Sequence, residues 1–141
     1  MYSRSVALAS LLLVPLAFVS TRSTPRSDQA TARVEINAKC AGPNNTAVTV
    51  SPWNLTIAQD DDVEWVLDGN ADTEEVSITP KQRGKWPYAS QPPYKGGKAN
   101  PARADKMKRN AKGRYSYNVT LVCTNGNTAD TVTVDPDIII D

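Results

Sequence analysis

The chain has 141 residues, with 16 Lys and Arg against 15 Asp and Glu, so its formal net charge is +1 at pH 7. This near balance points to neither an acidic nor a basic partner for the chain as a whole. The sequence contains two cysteines and no histidine, which excludes catalysis by imidazole and metal sites that need histidine ligands.

Residues 1–21 have the order of a secretory signal peptide. Arg4 precedes an apolar run from Val6 to Val19, and small polar residues follow. The run is shorter than the roughly 20 residues that a membrane-spanning helix needs, and an uncleaved membrane anchor is the alternative. We therefore expect an exported protein, periplasmic or extracellular, or one held at the membrane by this segment. A polar linker, 22–32, would then lead into one small domain, 33–141.

Alternating apolar residues predict the first strands of this domain. The segment Val34–Cys40 places Val34, Ile36, Ala38 and Cys40 on one face of a strand. Shorter alternating segments follow, and residues typical of turns separate them. These segments are Val48–Val50, Trp53–Ile57, Val63–Leu67 and Glu75–Thr79.

Residues 80–112 show no strand pattern, and connections of this length are usually functional or disordered. The first part, GKWPYASQPPYKGG, is rich in Pro and Gly and indicates a loop. In the second part, Asn100 and Pro101 are residue types that begin a helix, and Gly113 is one that ends it. We therefore predict a long loop followed by a short helix.

Two segments complete the predicted strands. The first, GRYSYNVTLVC, alternates apolar residues from Tyr115 to Cys123, and the second runs from Thr131 through Asp135 and Pro136 to Ile140. The Asn-Gly pair between them is a signal for a tight hairpin. Short strands at this spacing predict an all-β protein, a Greek-key antiparallel β-sandwich with one long loop and short-helix insertion.

The two cysteines, Cys40 and Cys123, end the apolar faces of two predicted strands. Each sulfur lies on the face that its strand buries, and an even cysteine count in a small exported domain favours pairing, so we predict a disulfide. The bridge would close a loop of about 80 residues and stabilise the fold by roughly 4–5 kcal/mol. A nucleophilic cysteine or a metal ligand would need histidine partners, which the sequence lacks.

Three segments resemble parts of the cupredoxin-like fold. The stretch Val48–Gly69 has a strand that ends at a proline, a short apolar strand, an acidic turn and the strand VEWVL. The other two are G-x-Y-x-Y at Gly113–Tyr117 and the closing segment VDPDIII at Val134–Ile140. The resemblance covers about residues 34–141 and implies a cupredoxin-like (plastocyanin-like) β-sandwich.

The same resemblance raises the question of copper. Blue-copper members of the family hold the metal with two histidines and a cysteine, commonly with a methionine. This chain has no histidine, and Met107, the only methionine beyond the first residue, lies in the predicted helix. The resemblance therefore implies a member that lacks the copper ligands, and we expect no metal, no cofactor and no catalytic residue.

Charge is segregated along the chain. The segment Asp60–Glu75 has eight carboxylates and no basic residue, whereas Lys81–Arg114 has 11 basic residues and one acidic residue. Aromatic residues are interleaved with the basic ones. Clustered positive charge attracts acidic partners and aromatic rings supply contact area, so we predict a partner-binding surface. The candidate residues are Lys81, Arg83, Lys85, Trp86, Tyr88, Tyr94, Lys95, Lys98, Lys106, Lys108, Arg109 and Lys112.

The sequence thus predicts an exported, non-catalytic binding or scaffold domain that docks an acidic partner. We expect a protein with an acidic surface, or a second copy of the chain; an anionic polysaccharide or lipid is the alternative. An exported location and the lack of a known motif argue against nucleic acid. Three other hypotheses stay open: a solvated basic loop that pairs with the acidic segment of the same chain, a structural subunit of an envelope complex or self-assembling filament, and a copper-independent enzyme accessory protein.

Overall fold

The computed structural model describes residues 29–42, 45–125 and 128–141. The predicted signal peptide, most of the predicted linker and part of the TNGN turn lie outside these ranges. Within them the chain forms ten strands and one short 3-10 turn, and no α-helix. The first strand begins at Thr31, inside the predicted linker. No helix in this part of the chain has the length and apolar content needed to cross a membrane.

The strands are short, and most of them coincide with the alternating segments of the sequence. In the fourth strand, Val63, Trp65 and Leu67 are buried and the residues between them are partly exposed, which is the period of two expected for a strand. The strands are β1 (Thr31–Cys40), β2 (Thr46–Ser51), β3 (Asn54–Ile57), β4 (Asp62–Leu67), β5 (Glu75–Pro80), β6 (Tyr94–Gly97), β7 (Ala102–Ala104), β8 (Gly113–Asn125), β9 (Thr128–Val134) and β10 (Asp137–Ile140), with the 3-10 turn at Arg83–Lys85.

Two sheets form a β-sandwich-like fold. Sheet 1 has the order β2-β1-β4-β7, and sheet 2 has the order β3-β10-β8-β5-β6, with β9 paired to β8. Most pairs are antiparallel, but β1 with β4 and β3 with β10 are parallel. The prediction of an all-β, two-sheet fold is confirmed, and the prediction of an antiparallel sandwich is wrong for these two pairs. Alternation shows which face of a strand is buried, but it does not show in which direction the neighbouring strand runs.

The chain passes from one sheet to the other at Pro52 and Trp53. These residues separate β2, at the edge of sheet 1, from β3, at the edge of sheet 2. Proline has no N–H to donate to a strand ladder, so pairing in sheet 1 stops there. The Asp137 amide then donates to the carbonyl of Trp53 at 3.1 Å, next to the parallel pairing of β3 with β10.

The predicted helix after Asn100 is wrong, because its first residues form β7. Ala102 and Ala104 are fully buried, while Arg103 between them is exposed, so the segment alternates as a strand. β7 completes sheet 1 by pairing with the edge of β4. The two small side chains fit where the sheets approach closely, and this packing outweighs the local helix propensity of alanine.

The predicted disulfide is confirmed. Cys40 ends β1 in sheet 1, and Cys123 lies in β8 of sheet 2, so the bridge joins the two sheets. The two Cα atoms are 5.7 Å apart, within the normal range for a disulfide. As strand parity predicts, Cys123 is buried.

Candidate functional site

The core contains Trp86, Tyr88 and Tyr94, the three aromatic residues of the predicted partner-binding surface. Their side chains are 3%, 2% and 5% exposed. They cannot supply contact area to a partner, and this part of the prediction is corrected. An aromatic ring buries roughly 150–250 Å² of surface, so three of them provide a strong driving force for packing the insertion against the sandwich.

Hydrogen bonds hold these rings in place. The indole N–H of Trp86 donates to the Tyr94 hydroxyl at 2.9 Å, and that hydroxyl donates to the carbonyl of Ser90 at 2.7 Å. The Tyr88 hydroxyl donates to the carbonyl of Asp61 at 3.2 Å. Since a buried polar group without a partner costs stability, these bonds allow the tyrosines and the tryptophan to act as internal anchors.

The anchors contact the rings at the centre of the sandwich. The ring centroid of Trp65, from β4, is 5.9 Å from that of Tyr94 and 5.5 Å from that of Tyr117, from β8. The ring centroid of Trp86 is 6.2 Å from that of Tyr117, and the two rings pack edge to face. These spacings are typical of favourable aromatic pairs. The insertion is therefore part of the core, although its sequence reads as a surface loop.

Ion pairs divide the basic residues into two groups. Lys95, Lys98 and Arg103 are paired with the acidic segment, because β6 lies next to β5 and β7 next to β4. For these three, the structure agrees with the hypothesis that the two charged segments neutralise each other. Five basic residues of the segment Lys81–Arg114 form ion pairs with described residues. The pairs are Lys95–Glu75 (3.4 Å), Lys98–Glu74 (2.7 Å), Arg103–Glu64 (2.8 Å), Lys81–Asp135 (2.6 Å) and Arg114–Asp137 (3.5 Å).

The remaining basic residues of the segment form no ion pair with any described residue, and we call them the unpaired cations. All of them are exposed. They are Arg83, Lys85, Lys106, Lys108, Arg109 and Lys112. Each belongs to the predicted partner-binding set, so the structure brings part of that set together as an exposed group of uncompensated charges.

Two neighbouring segments carry the unpaired cations. The amide of Lys108 donates to the carbonyl of Pro87 at 2.7 Å, and the amide of Ala89 donates to the carbonyl of Lys106 at 3.0 Å. Tyr88 and Met107 form an antiparallel bridge between these bonds. The 3-10 turn at Arg83–Lys85 and the connection from β7 to β8 therefore lie side by side. This proximity gathers charges that are more than 20 residues apart in the sequence.

A cleft of about 480 Å³ lies at one side of this surface. Its cations include Lys85 and Lys112, which are unpaired, and no acidic side chain lines it within the described residues. The pairing of Pro80 with Tyr117 and the hydrogen bond from the Lys81 amide to the carbonyl of Ser116 (3.1 Å) join the two chain segments that line it. The lining residues are Lys81, Gln82, Lys85, Trp86, Lys112, Arg114, Tyr115 and Ser116.

An acidic turn adjoins the same end of the molecule. Gln59, which precedes the turn, donates from its side-chain amide to the carbonyl of Ala111 at 3.1 Å. Asp61 accepts the hydrogen bond of Tyr88 described above. The acidic residues of this turn are Asp60, Asp61 and Asp62. The end of the sandwich thus presents positive and negative groups next to each other, which favours one orientation of a charged partner.

The residues present do not fit the copper site of blue-copper cupredoxins. No histidine is available, both cysteines are consumed by the disulfide, and Met107 packs against the core. In the described ranges, no three Cys, Asp or Glu side chains are grouped so that they could hold a metal ion.

No protein-family model matches the sequence, and no curated protein is significantly similar to it. Membership of the cupredoxin family is therefore not shown by sequence comparison. The structure itself shows a β-sandwich-like fold with two mixed sheets.

Sequence reasoning missed Gln82, Arg114, Tyr115 and Ser116 as residues of the cleft. Arg114, Tyr115 and Ser116 lie on β8, and Gln82 lies two residues after the end of β5. The whole insertion separates these two strands in the sequence, and their register brings them together. The pairing of Pro80 with Tyr117 is the signal that would have located them. Strand register between distant segments cannot be read from alternation alone.

Proposed function

We propose that the chain is an exported, metal-free binding module of cupredoxin-like fold that docks an acidic protein through its unpaired cations. The mixed two-sheet architecture supports the fold, and the disulfide is compatible with an oxidising, exported location. The lack of histidine supports a role without type-1 copper.

The distribution of ion pairs is the observation that carries this proposal. Lys95, Lys98 and Arg103 are neutralised by the chain's own carboxylates, whereas the unpaired cations are concentrated on two adjoining segments. Exposed charges of one sign repel each other, and their free energy falls when an acidic surface approaches. With the aromatic rings buried, charge is the main chemical feature that this surface offers to a partner.

The test compares two triple variants for their affinity toward the native partner, purified by co-isolation with the intact protein. Replacing the unpaired Lys108, Arg109 and Lys112 with Ser should weaken binding by about tenfold or more. The matched control, Lys95→Ser, Lys98→Ser and Arg103→Ser, removes the same formal charge from the paired group and should weaken binding much less.

Salt provides the second arm of the same experiment. Exposed charges are screened over about 10 Å at 0.1 M salt and about 3 Å at 1 M, so affinity for the unchanged protein should fall steeply with ionic strength. The triple variant of the unpaired cations should show a shallower fall. Equal affinity of all three proteins, or binding that is independent of salt, would contradict the proposed function.

A further inference from the structure

We infer that the cleft lined by Lys85 and Lys112 is the anchoring point for this acidic protein, and that it takes two carboxylates from nearby side chains of an extended acidic segment. This inference rests on the proposed function, which it makes more specific. The inference predicts that Lys85 and Lys112 contribute far more to binding than the other unpaired cations.

The charge of the cleft favours a ligand group with two negative charges. Four cations line it, but Lys81 is paired with Asp135 and Arg114 with Asp137. Lys85 and Lys112 are left without a counter-ion among the described residues. Two carboxylates would therefore balance the cleft without breaking the ion pairs that exist.

The hydrogen-bond donors that remain free in the cleft favour carboxylates that each bind one lysine ammonium group. The Tyr115 hydroxyl already donates to the carbonyl of Lys112 at 3.0 Å, and the Ser116 hydroxyl donates to Asp137. The ammonium groups of Lys85 and Lys112 and the side-chain amide of Gln82 are lining donors without such a bond, whereas the Arg114 guanidinium is held by its ion pair with Asp137 at 3.5 Å. A lysine acts as a compact point charge and does not impose the planar, two-pronged geometry of arginine, so it accepts side chains from a flexible segment.

The size and rigidity of the cleft fit two side chains. A volume of about 480 Å³ is within the range of roughly 300–1,000 Å³ that is typical of ligand sites, and it is large for a single inorganic anion. The walls are held by backbone hydrogen bonds from Lys81 to Ser116 and from Lys85 to Gln82, both at 3.1 Å. A wall that is already ordered loses little conformational entropy when the ligand binds.

The burial of Trp86 argues for a peptide over a sugar chain or a nucleic acid. Bases bind single-strand grooves by stacking on exposed aromatic faces, and a sugar ring also packs best on such a face. Trp86 lines the cleft but is only 3% exposed, so its face is covered. The aliphatic stems of acidic side chains need only an edge of apolar surface, which the half-buried Tyr115 provides.

The experiment titrates the intact protein with capped hexaglutamate at about 0.1 M salt. Lys85→Ser with Lys112→Ser should weaken binding by about tenfold or more. The matched control is Lys106→Ser with Arg109→Ser, which removes the same charge from outside the cleft and should cost about threefold or less. Backbone amide shifts should change most at Gln82 and Ser116 when the peptide is added.

Each outcome separates the inference from the proposed function. If both pairs of substitutions weaken binding equally, the cleft is not the anchor, although docking through the unpaired cations stands. If neither pair weakens binding of hexaglutamate or of the native partner, both proposals fail. Binding of polygalacturonate that depends on Lys85 and Lys112, with no binding of hexaglutamate, would overturn the peptide assignment. Equal binding of the neutral hexaglutamine peptide would overturn the role of charge.

Discussion

Tyr117 shows how one residue links packing to the protonation behaviour of the molecule. Its ring is fully buried in β8, where it packs against Trp65 and Trp86. Burial raises the pKa of Tyr117 to about 12, and the indole of Trp65 partly opposes this rise. The charged phenolate is costly in an apolar core, so the folded state retains the proton that the unfolded chain loses near pH 10.

This difference predicts a loss of stability in alkaline solution. Because the folded pKa is the higher one, the contribution of Tyr117 is complete below about pH 10 and is lost as the pH rises toward about 12. The loss amounts to about 2 kcal/mol in the free energy of unfolding. Urea unfolding at a series of pH values would measure it.

Tyr117→Phe is the control, because phenylalanine keeps the ring and removes the titrating group. The variant should lose less stability over the same pH interval. Burial, followed by the carboxylates of Asp62 and Asp61, also raises the pKa of Tyr88, so part of the alkaline effect should persist. Identical pH profiles for the two proteins would show that Tyr117 does not contribute.

The aromatic residues also show why residue roles were only partly predictable. Interleaving of Trp86, Tyr88 and Tyr94 with lysines is compatible with a binding surface and with a loop anchored from inside. The segment that contains these three residues does not form one regular strand, so no alternation of apolar and polar residues shows which side chains are buried. The roles of Cys40 and Cys123 were predictable, because each ends a strand whose buried face is clear.

At the scale of elements, β6 of sheet 2 and β7 of sheet 1 approach each other closely. A Cβ atom added to Gly96 would overlap the backbone nitrogen of Ala102. Ala102 and Ala104 of β7 are fully buried, and β6 could accept a side chain at Gly96 only if the backbone moved. Close approach of backbones in a core is a use of glycine that no other residue can replace.

Gly96→Ala should therefore destabilise the protein by about 2 kcal/mol or more, because the atom in the way belongs to the backbone and cannot rotate aside. Gly84→Ala is the matched control, since an added Cβ there meets nothing within 4 Å. That variant should change stability by about 1 kcal/mol or less. Chemical denaturation of the two variants provides the comparison. Equal stability would show that β6 and β7 are not in close contact.

Strands were easier to predict than the connections between them. β1, β4, β5 and β8 follow clear alternation, and their buried faces agree with the pattern. β7 was missed because three residues are too few to reveal a period, and the start Asn-Pro and stop Gly suggested a helix. Its strand conformation depends on the open edge of β4, which is about 40 residues earlier in the chain.

At the scale of the whole molecule, the disulfide joins the two sheets across a sequence separation of 83 residues. Cross-linking two such distant points reduces the entropy of the unfolded chain. Reduction should therefore lower the free energy of unfolding by about 4–5 kcal/mol. Urea unfolding with and without reductant measures the difference. The Cys40→Ser, Cys123→Ser double variant should already be destabilised and should not respond to reductant.

The candidate site was predictable as a charged segment but not as a surface. Sequence counting identifies the excess of basic residues between Lys81 and Arg114. It does not reveal that strand pairing brings Lys95, Lys98 and Arg103 to carboxylates and leaves the others unpaired. This division depends on which strands are neighbours, a property of the complete fold.

The position of the partner on the sandwich is the most direct test of docking through the unpaired cations. Backbone amide chemical shifts of the intact protein, recorded with and without the purified native partner, would map it. We expect the changes to concentrate in residues 83–90 and 105–116. Changes confined to the outer edge of β9, which pairs only with β8 in the described part of the fold, would contradict this and favour a structural, strand-pairing role.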